Sequence, residues 1–323
     1  MLWKRRLRYL AGFLTFVFIC VCQCCAQDKG TKRPADLGER SDVTKPIHVN
    51  VDLALVNVTV TDSHGRLVTG LAKTDFHIYE DGEEQEIRTF SSEDQPVSIG
   101  IVLDMSGSMS DKIEKARQAA AQFLKAANPR DEFFLVTFND RARLNTHFTT
   151  AVDDLQTDLL YARAKGQTAL FDGVYLGLTE MRDAHNARRA ILIISDGGDN
   201  HSRYSETDLR RYVKEADCQL YAIGIYERRD MFRTFEELYG PTLLSEMTDL
   251  TGGQTFAVNS IRDLPDVATK IGMELRNQYV LGYKPSNDQH DGKWRKIKVQ
   301  LALPRRMASV HVYARAGYYA PTP

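Results

Sequence analysis

Residues 97–111 read VSIGIVLDMSGSMSD, and the rest of the chain is organised around them. Val97 to Leu103 is a short, nearly unbroken apolar run, which suits a strand buried on both faces in a parallel sheet covered by helices. It ends abruptly at Asp104. Ser106, Gly107 and Ser108 then place two hydroxyls beside that carboxylate on a tight turn, and a helical pattern follows directly. Oxygen donors of this kind suit a small hard cation such as Mg²⁺ or Mn²⁺. The carboxyl ends of parallel strands are also where open α/β sheets bind ligands.

Outward from this turn, strand and helix patterns alternate to about residue 278. Asp111 is placed to cap a helix carrying Ile113, Ala116, Ala120, Phe123, Leu124 and Ala127 on one face and stopping at Asn128-Pro129. Phe133 to Phe138 reads as a strand, turned at Asn139-Asp140 into an edge strand over Ala142 to His147. Val152 to Ala164 and Leu170 to Met181 read as helices, the second with Gly173 and Gly177 on one face for close packing on the sheet. Ala190 to Ile194 is a second buried parallel strand and ends in Ser195-Asp196-Gly197. Ser205 and Asp208 form a capping pair for a helix to Ala216. Leu220 to Ile225, Leu243 to Leu250, Thr255 to Val258 and Leu264 to Leu275 complete the alternation, which argues a doubly wound α/β domain with a mostly parallel sheet over residues 97–278. Tyr226 to Pro241, with ERRDMFRTFEELYGP over 227–241, is long for a connection. It reads as a binding loop or small insertion, or as a short solvated helix.

Both flanks read as β. Val49, Val51, Leu53 and Leu55 alternate with polar or small residues, and the phase then flips to Val56, Val58 and Val60, which implies a bulge or a strand that changes sheets. Phe76 to Glu80 and Glu86 to Phe90 are strand candidates joined through Asp81-Gly82, a hairpin signal. After the α/β segment come Tyr279 to Tyr283, the alternating Arg295, Ile297, Val299 and Leu301, and then Val310, Val312 and Ala314. Each flank is about 45 residues, too short to bury enough apolar surface alone. Residues 47–92 and 279–323 are therefore expected to pack as two halves of one β-sandwich, with the α/β domain inserted between them.

The chain has 323 residues, an ordinary globular apolar fraction and a formal net charge of −1, so nothing points to nucleic acid as a partner. Lys4, Arg5, Arg6 and Arg8 precede an apolar stretch, Leu10 to Val21, that runs on to Ala26. This reads as a secretory signal peptide over residues 1–26, the apolar stretch being shorter than the roughly 20 residues of a membrane span. Cleavage there removes four basic residues and takes the formal charge from −1 to −5. Four of the five cysteines lie in that segment, and the fifth, Cys218, reads as a buried inert thiol at the start of a strand. Residues 27–46 are charged, carry Gly30, Pro34, Gly38 and Pro46, and read as a disordered linker. The expected location is secreted, periplasmic or cell surface, with no membrane span in the mature chain.

Three segments share one rim of the α/β domain: Asp104 to Ser108, Gly166 to Gly173 (GQTALFDG), and Ser195-Asp196-Gly197. Together, in this order and after these elements, they resemble the von Willebrand factor type A domain and its metal-ion-dependent adhesion site. In that family the residues matching Asp104, Ser106 and Ser108 hold the metal, and those matching Thr168 and Asp196 lie nearer or farther as the site opens and closes. Ser195 stands where a threonine is more usual. The flanks, including Phe76 to Gly82 and Tyr279 to Tyr283, are similar to a related secreted family known from acidobacterial sequences, from which no biochemical activity follows.

The resemblance implies a divalent-metal-dependent binding module whose metal, Mg²⁺ or Mn²⁺, accepts an acidic side chain of a partner protein. The metal set it implies is Asp104, Ser106, Ser108, Thr168 and Asp196, and Asp172 is expected to be a hydrogen-bond acceptor or plain helix residue. The alternative is a non-catalytic structural or assembly component of the cell envelope, with a vestigial or purely stabilising metal site. Without the resemblance, Ser106 and Ser108 would pass as turn residues and Asp196 as a helix cap. The eight histidines show no metal-ligand spacing, which argues against zinc. Ser106 is in no nucleophile-elbow pattern and no motif pairs it with a histidine, so no enzyme activity is expected.

Overall fold

The computed structural model describes residues 53–160, 163–226, 235–302 and 309–322. The signal-peptide and linker readings, and Val49 and Val51, lie outside them.

The central sheet follows from its apolar runs. Strands β5 (Val97–Asp104), β6 (Glu132–Phe138), β8 (Arg188–Ser195), β9 (Gln219–Ile225) and β10 (Thr255–Val258) are parallel, and β7 (Ala142–Thr149) closes one edge antiparallel, giving the order β10-β9-β8-β5-β6-β7. β5 lies at the middle of the order and is buried along its whole length. Its alternation sends Ile99, Ile101 and Leu103 to one core and Val102 to the other. The first core is covered by α1 (Ile113–Lys125), α2 (Val152–Leu160) and α6 (Leu264–Arg276), the second by α3 (Leu170–Glu180), α4 (Glu206–Glu215) and α5 (Phe235–Thr251). This mixed α/β layering places every strand-to-helix turn of the parallel strands on one rim.

One helix expectation needs correcting. Asp111 does not cap α1: the cap position is Lys112, which makes no side-chain cap bond, because a short 3-10 turn over Gly107–Met109 leads into the helix instead. Of the two readings of the segment ending at Pro241, the helical one is found from Phe235 onward. Phe235 onward is already α5, with Pro241 in its interior, and residues 227–234 lie outside the described ones. Ser205 does form the capping box with Asp208.

The flanking strands are β1 (Ala54–Asp62), β2 (Phe76–Glu80), β3 (Glu83–Gln85) and β4 (Ile87–Ser91) before the α/β segment, and β11 (Tyr279–Tyr283), β12 (Trp294–Leu301), β13 (Val310–Ala314) and β14 (Gly317–Tyr319) after it. They interleave as one four-stranded sheet β13-β1-β11-β4 and another β14-β12-β2-β3. Neither flank completes a sheet by itself. One core joins the two sheets, with Val56, Val58, Val60, Tyr279 and Leu281 from the first meeting Phe76, Ile78 and Ile297 from the second. The β2–β3 turn has φ of 50° at Asp81 and 94° at Gly82, the left-handed pair a two-residue hairpin demands. β1 corrects the expectation of a strand that changes sheets: it pairs with β11 and β13 on its two edges and stays in one sheet. Over residues 58–61 it is buried on both faces, Thr59 turning to the α/β segment and accepting from Gln278 Nε2 at 3.3 Å, while Leu55 stays exposed.

Candidate functional site

The site is built where β5 and β8 end. Asp104 is the last residue of β5 and fully buried. Its Oδ1 accepts from the Ser106 backbone N–H at 2.9 Å and its Oδ2 from Ser195 Oγ, at the end of β8, at 2.6 Å. The first of these bonds folds the turn back on the carboxylate and leaves Ser106 Oγ 3.0 Å from Ser108 Oγ. Backbone bonds then join the loops. Gly107 N–H donates to Gly166 O at 2.8 Å, Lys165 N–H to Met105 O at 2.9 Å, and Met105 N–H to Phe138 O at 2.7 Å. Thr168 is buried and held by Asn200, whose Oδ1 accepts from Thr168 N–H at 3.0 Å and whose N–H donates to Thr168 O at 2.9 Å. The segments 104–108, 166–168 and 195–200 are thus one connected rim.

Asp196 is buried beside Asp104. Burial first, and the Asp196 charge second, push the Asp104 carboxyl well above the usual carboxylate range, against the hydrogen bonds from Ser195 and Ser106. Two carboxylates in one desolvated space favour positive charge beside them, and the Lys112 ammonium, described below, meets one of the two. The oxygens gathered here, carboxylate and hydroxyl, are of the kind a hard divalent ion takes. Among the described residues no group of three or more His, Cys, Asp or Glu side chains is placed to hold a metal ion.

Asp172 behaves as an acceptor within the protein. Its Oδ1 takes the N–H groups of Arg203 and Tyr204 at 2.9 and 3.3 Å and its Oδ2 takes Arg203 Nε at 3.0 Å, so both oxygens are committed to the loop after Ser202. Asp199, likewise, accepts from Phe171 N–H and Ser202 Oγ.

Two participants went unread in the sequence. Lys112 Nζ donates to Asp196 Oδ2 at 3.0 Å, with side chains only 10% and 3% exposed. The spacing of Lys112 from Asp104 carried no signal, since its partner is 84 residues away. The second is Gly240. A Cβ there would lie 2.5 Å from Asp196 O, and one on Gly197, whose φ is +86°, would lie 2.6 Å from Gly240 C. Backbone meets backbone at this point, so α5 braces the Asp196 loop through two glycines, and the Gly240-Pro241 pair was the available signal.

Residues 99–198 match the family profile of the von Willebrand factor type A domain. That match covers about a third of the chain. Among solved structures, a von Willebrand factor type A protein from Catenulispora acidiphila aligns with 84% of this chain and 64% of its own, at 15% identity and a TM-score of 0.50, a likeness of fold. An aerotolerance-related membrane protein from Bacteroides fragilis aligns with 55% of this chain and 98% of its own, at 18% identity and a TM-score of 0.46. An uncharacterized protein of Borreliella burgdorferi is 25% identical over 183 residues, 50% of this chain and 53% of that protein. The chain therefore spans about half the length of the curated relative it matches. Among the described residues no helix is long and apolar enough to cross a membrane.

Proposed function

We propose that the von Willebrand factor type A domain is a divalent-metal-dependent protein-binding module, exported to the cell surface, periplasm or medium, whose partner presents an acidic side chain. The observation that supports it most is the buried Asp104 carboxylate with the Ser106 and Ser108 hydroxyls adjacent and Asp196 facing it. Asp104, Ser106 and Ser108 would hold Mg²⁺ or Mn²⁺, with Thr168 and Asp196 completing the oxygen set. A bound ion of this kind supplies an electrophilic position for a carboxylate, and neutral hydroxyl donors leave it more positive than carboxylates would. Export rests on the N-terminal sequence, Lys4 to Ala26. A binding role, rather than catalysis, rests on the sequence, in which Ser106 stands in no nucleophile-elbow pattern.

Capture from envelope extract on immobilised protein tests this. Partners should be retained in Mg²⁺ and released by EDTA, and Asp104→Ala should retain none. A second reading has its own observation: the Lys112–Asp196 pair gives the site a resident cation. In that reading the domain is a structural or assembly component of the envelope, and the same partners would be captured in EDTA.

A further inference from the structure

We infer that Lys112 is a built-in competitor for the metal position, a resident ammonium that holds Asp196 and weakens divalent-ion binding at Asp104, Ser106 and Ser108. The inference rests on reading that oxygen cluster as a metal site.

Lys112 is fixed by its backbone before its side chain is considered. Its N–H donates to Met109 O at 2.9 Å and its carbonyl accepts from Ala116 N–H at 3.0 Å, so it is locked between the 3-10 turn and α1. The side chain is nearly buried, an uncommon setting for a lysine, and ends 3.0 Å from Asp196 Oδ2. The other Asp196 oxygen accepts from Gly198 N–H at 3.3 Å. Among the described residues Asp104 is engaged by neutral donors, the Ser106 N–H and hydroxyl and the Ser195 hydroxyl. Among those residues the two carboxylates of the cluster therefore differ: Asp196 has an ammonium beside it and Asp104 does not.

Two consequences follow from like-charge repulsion in a desolvated space. A divalent ion bound at Asp104 meets an Asp196 whose charge is already offset, so the ion keeps more of its positive character for a partner's carboxylate. It also binds more weakly than it would between two unpaired carboxylates. Weak metal binding completed by a partner's carboxylate would make metal and partner bind cooperatively, each raising the affinity of the other.

The test is Mn²⁺ binding, followed by loss of the free-ion electron paramagnetic resonance signal, to wild type, Lys112→Met and Lys112→Arg. Met keeps the length of the buried stem without the charge, and Arg keeps the charge. Lys112→Met should bind Mn²⁺ at least about tenfold more tightly than wild type, while Lys112→Arg stays within about threefold. Structural damage cannot produce tighter binding, so the sign of the change decides. If Lys112→Met unfolds in chelator, Lys112→Gln, which can still donate to Asp196, takes its place with the same expectation. Wild-type binding with no gain in the neutral variants overturns the inference and leaves the metal reading standing. Binding only in the neutral variants upholds the inference and overturns metal dependence of the native chain. No binding in any of the four proteins overturns both.

Discussion

Arg188 offers a stringent check on how the α/β segment is seated between its flanks. It opens β8, is almost fully buried, and its guanidinium donates to Glu93 O at 2.7 Å, Arg276 O at 3.0 Å, Leu275 O at 3.3 Å and Gln278 O at 3.5 Å. One side chain thus gathers the segment entering the domain and the end of α6 leaving it. Counting only the two short contacts, at about 1.5–3 kcal/mol for a hydrogen bond to a charged group, the gross contribution is about 3–6 kcal/mol. Burial of the charge offsets part of this, which also lowers the pKa of Arg188 against the pull of Asp94. Arg188→Met should therefore cost about 2–4 kcal/mol, a fall in Tm of roughly 5–15 °C for a domain of this size. Arg188→Lys should recover at most half, because one ammonium cannot reach both chain segments in a fork. Urea unfolding of the three proteins measures the differences, and limited proteolysis should show new cleavage near Gln95 in Arg188→Met. A change under about 0.5 kcal/mol, with no new cleavage, would refute the idea that Arg188 clamps the junction.

Other expectations are more local. Gly177→Val should destabilise by about 1–3 kcal/mol, since even a Cβ on Gly177 lies 2.9 Å from Val102 Cγ2, and thermal melts would show it. Glu274 is fully buried, one of its oxygens has no partner, and desolvation raises its pKa from 4.5 to about 7 despite Lys270 and the bond from Gln254. The folded state then holds a proton that the unfolded state releases, so this group's contribution to stability falls by about 3 kcal/mol as pH rises from about 4.5 to 7. Glu274→Gln should flatten that part of the urea-midpoint profile and be the more stable protein at pH 8. Deleting residues 284–323 removes β12, β13 and β14, and should make residues 53–92 protease-sensitive while the α/β core stays folded. Full protection of 53–92 would contradict a core shared by the flanks.

What could be read from the sequence was what depends on near neighbours. The apolar run ending at Asp104, the Asp81-Gly82 turn, the Ser205–Asp208 box and the small face of Gly173 and Gly177 each encode a local geometry, and each is found, although the hairpin returns through Glu83–Gln85 and Ile87–Ser91 pairs in the other sheet. The errors came where a distant contact outweighs a local preference. Asp111 looks like a cap, but the turn before α1 puts Lys112 at that position and aims its ammonium at Asp196. Tyr226 to Pro241 left loop and helix open, and α5 runs through Pro241 where Gly240 rests on the Asp196 loop. β1 carries valines on one face and threonines on the other, which reads as half-exposed. Thr59 is buried because Gln278, from the far end of the α/β segment, closes over it. The Asp104–Ser108 turn and the Ser195-Asp196 loop were legible as neighbours on one rim, whereas the ammonium beside them was not.

The central claim is that Asp104, Ser106 and Ser108 bind a divalent cation. Isothermal titration of the folded protein with Mn²⁺, beside Asp104→Ala with an unchanged circular dichroism spectrum, tests it most directly. The account predicts saturable one-site binding in wild type, a rise in Tm of the wild type with metal as a ligand of the native state requires, and neither effect in Asp104→Ala. Identical titrations and identical melting curves for the two proteins, with metal and with chelator, would contradict it.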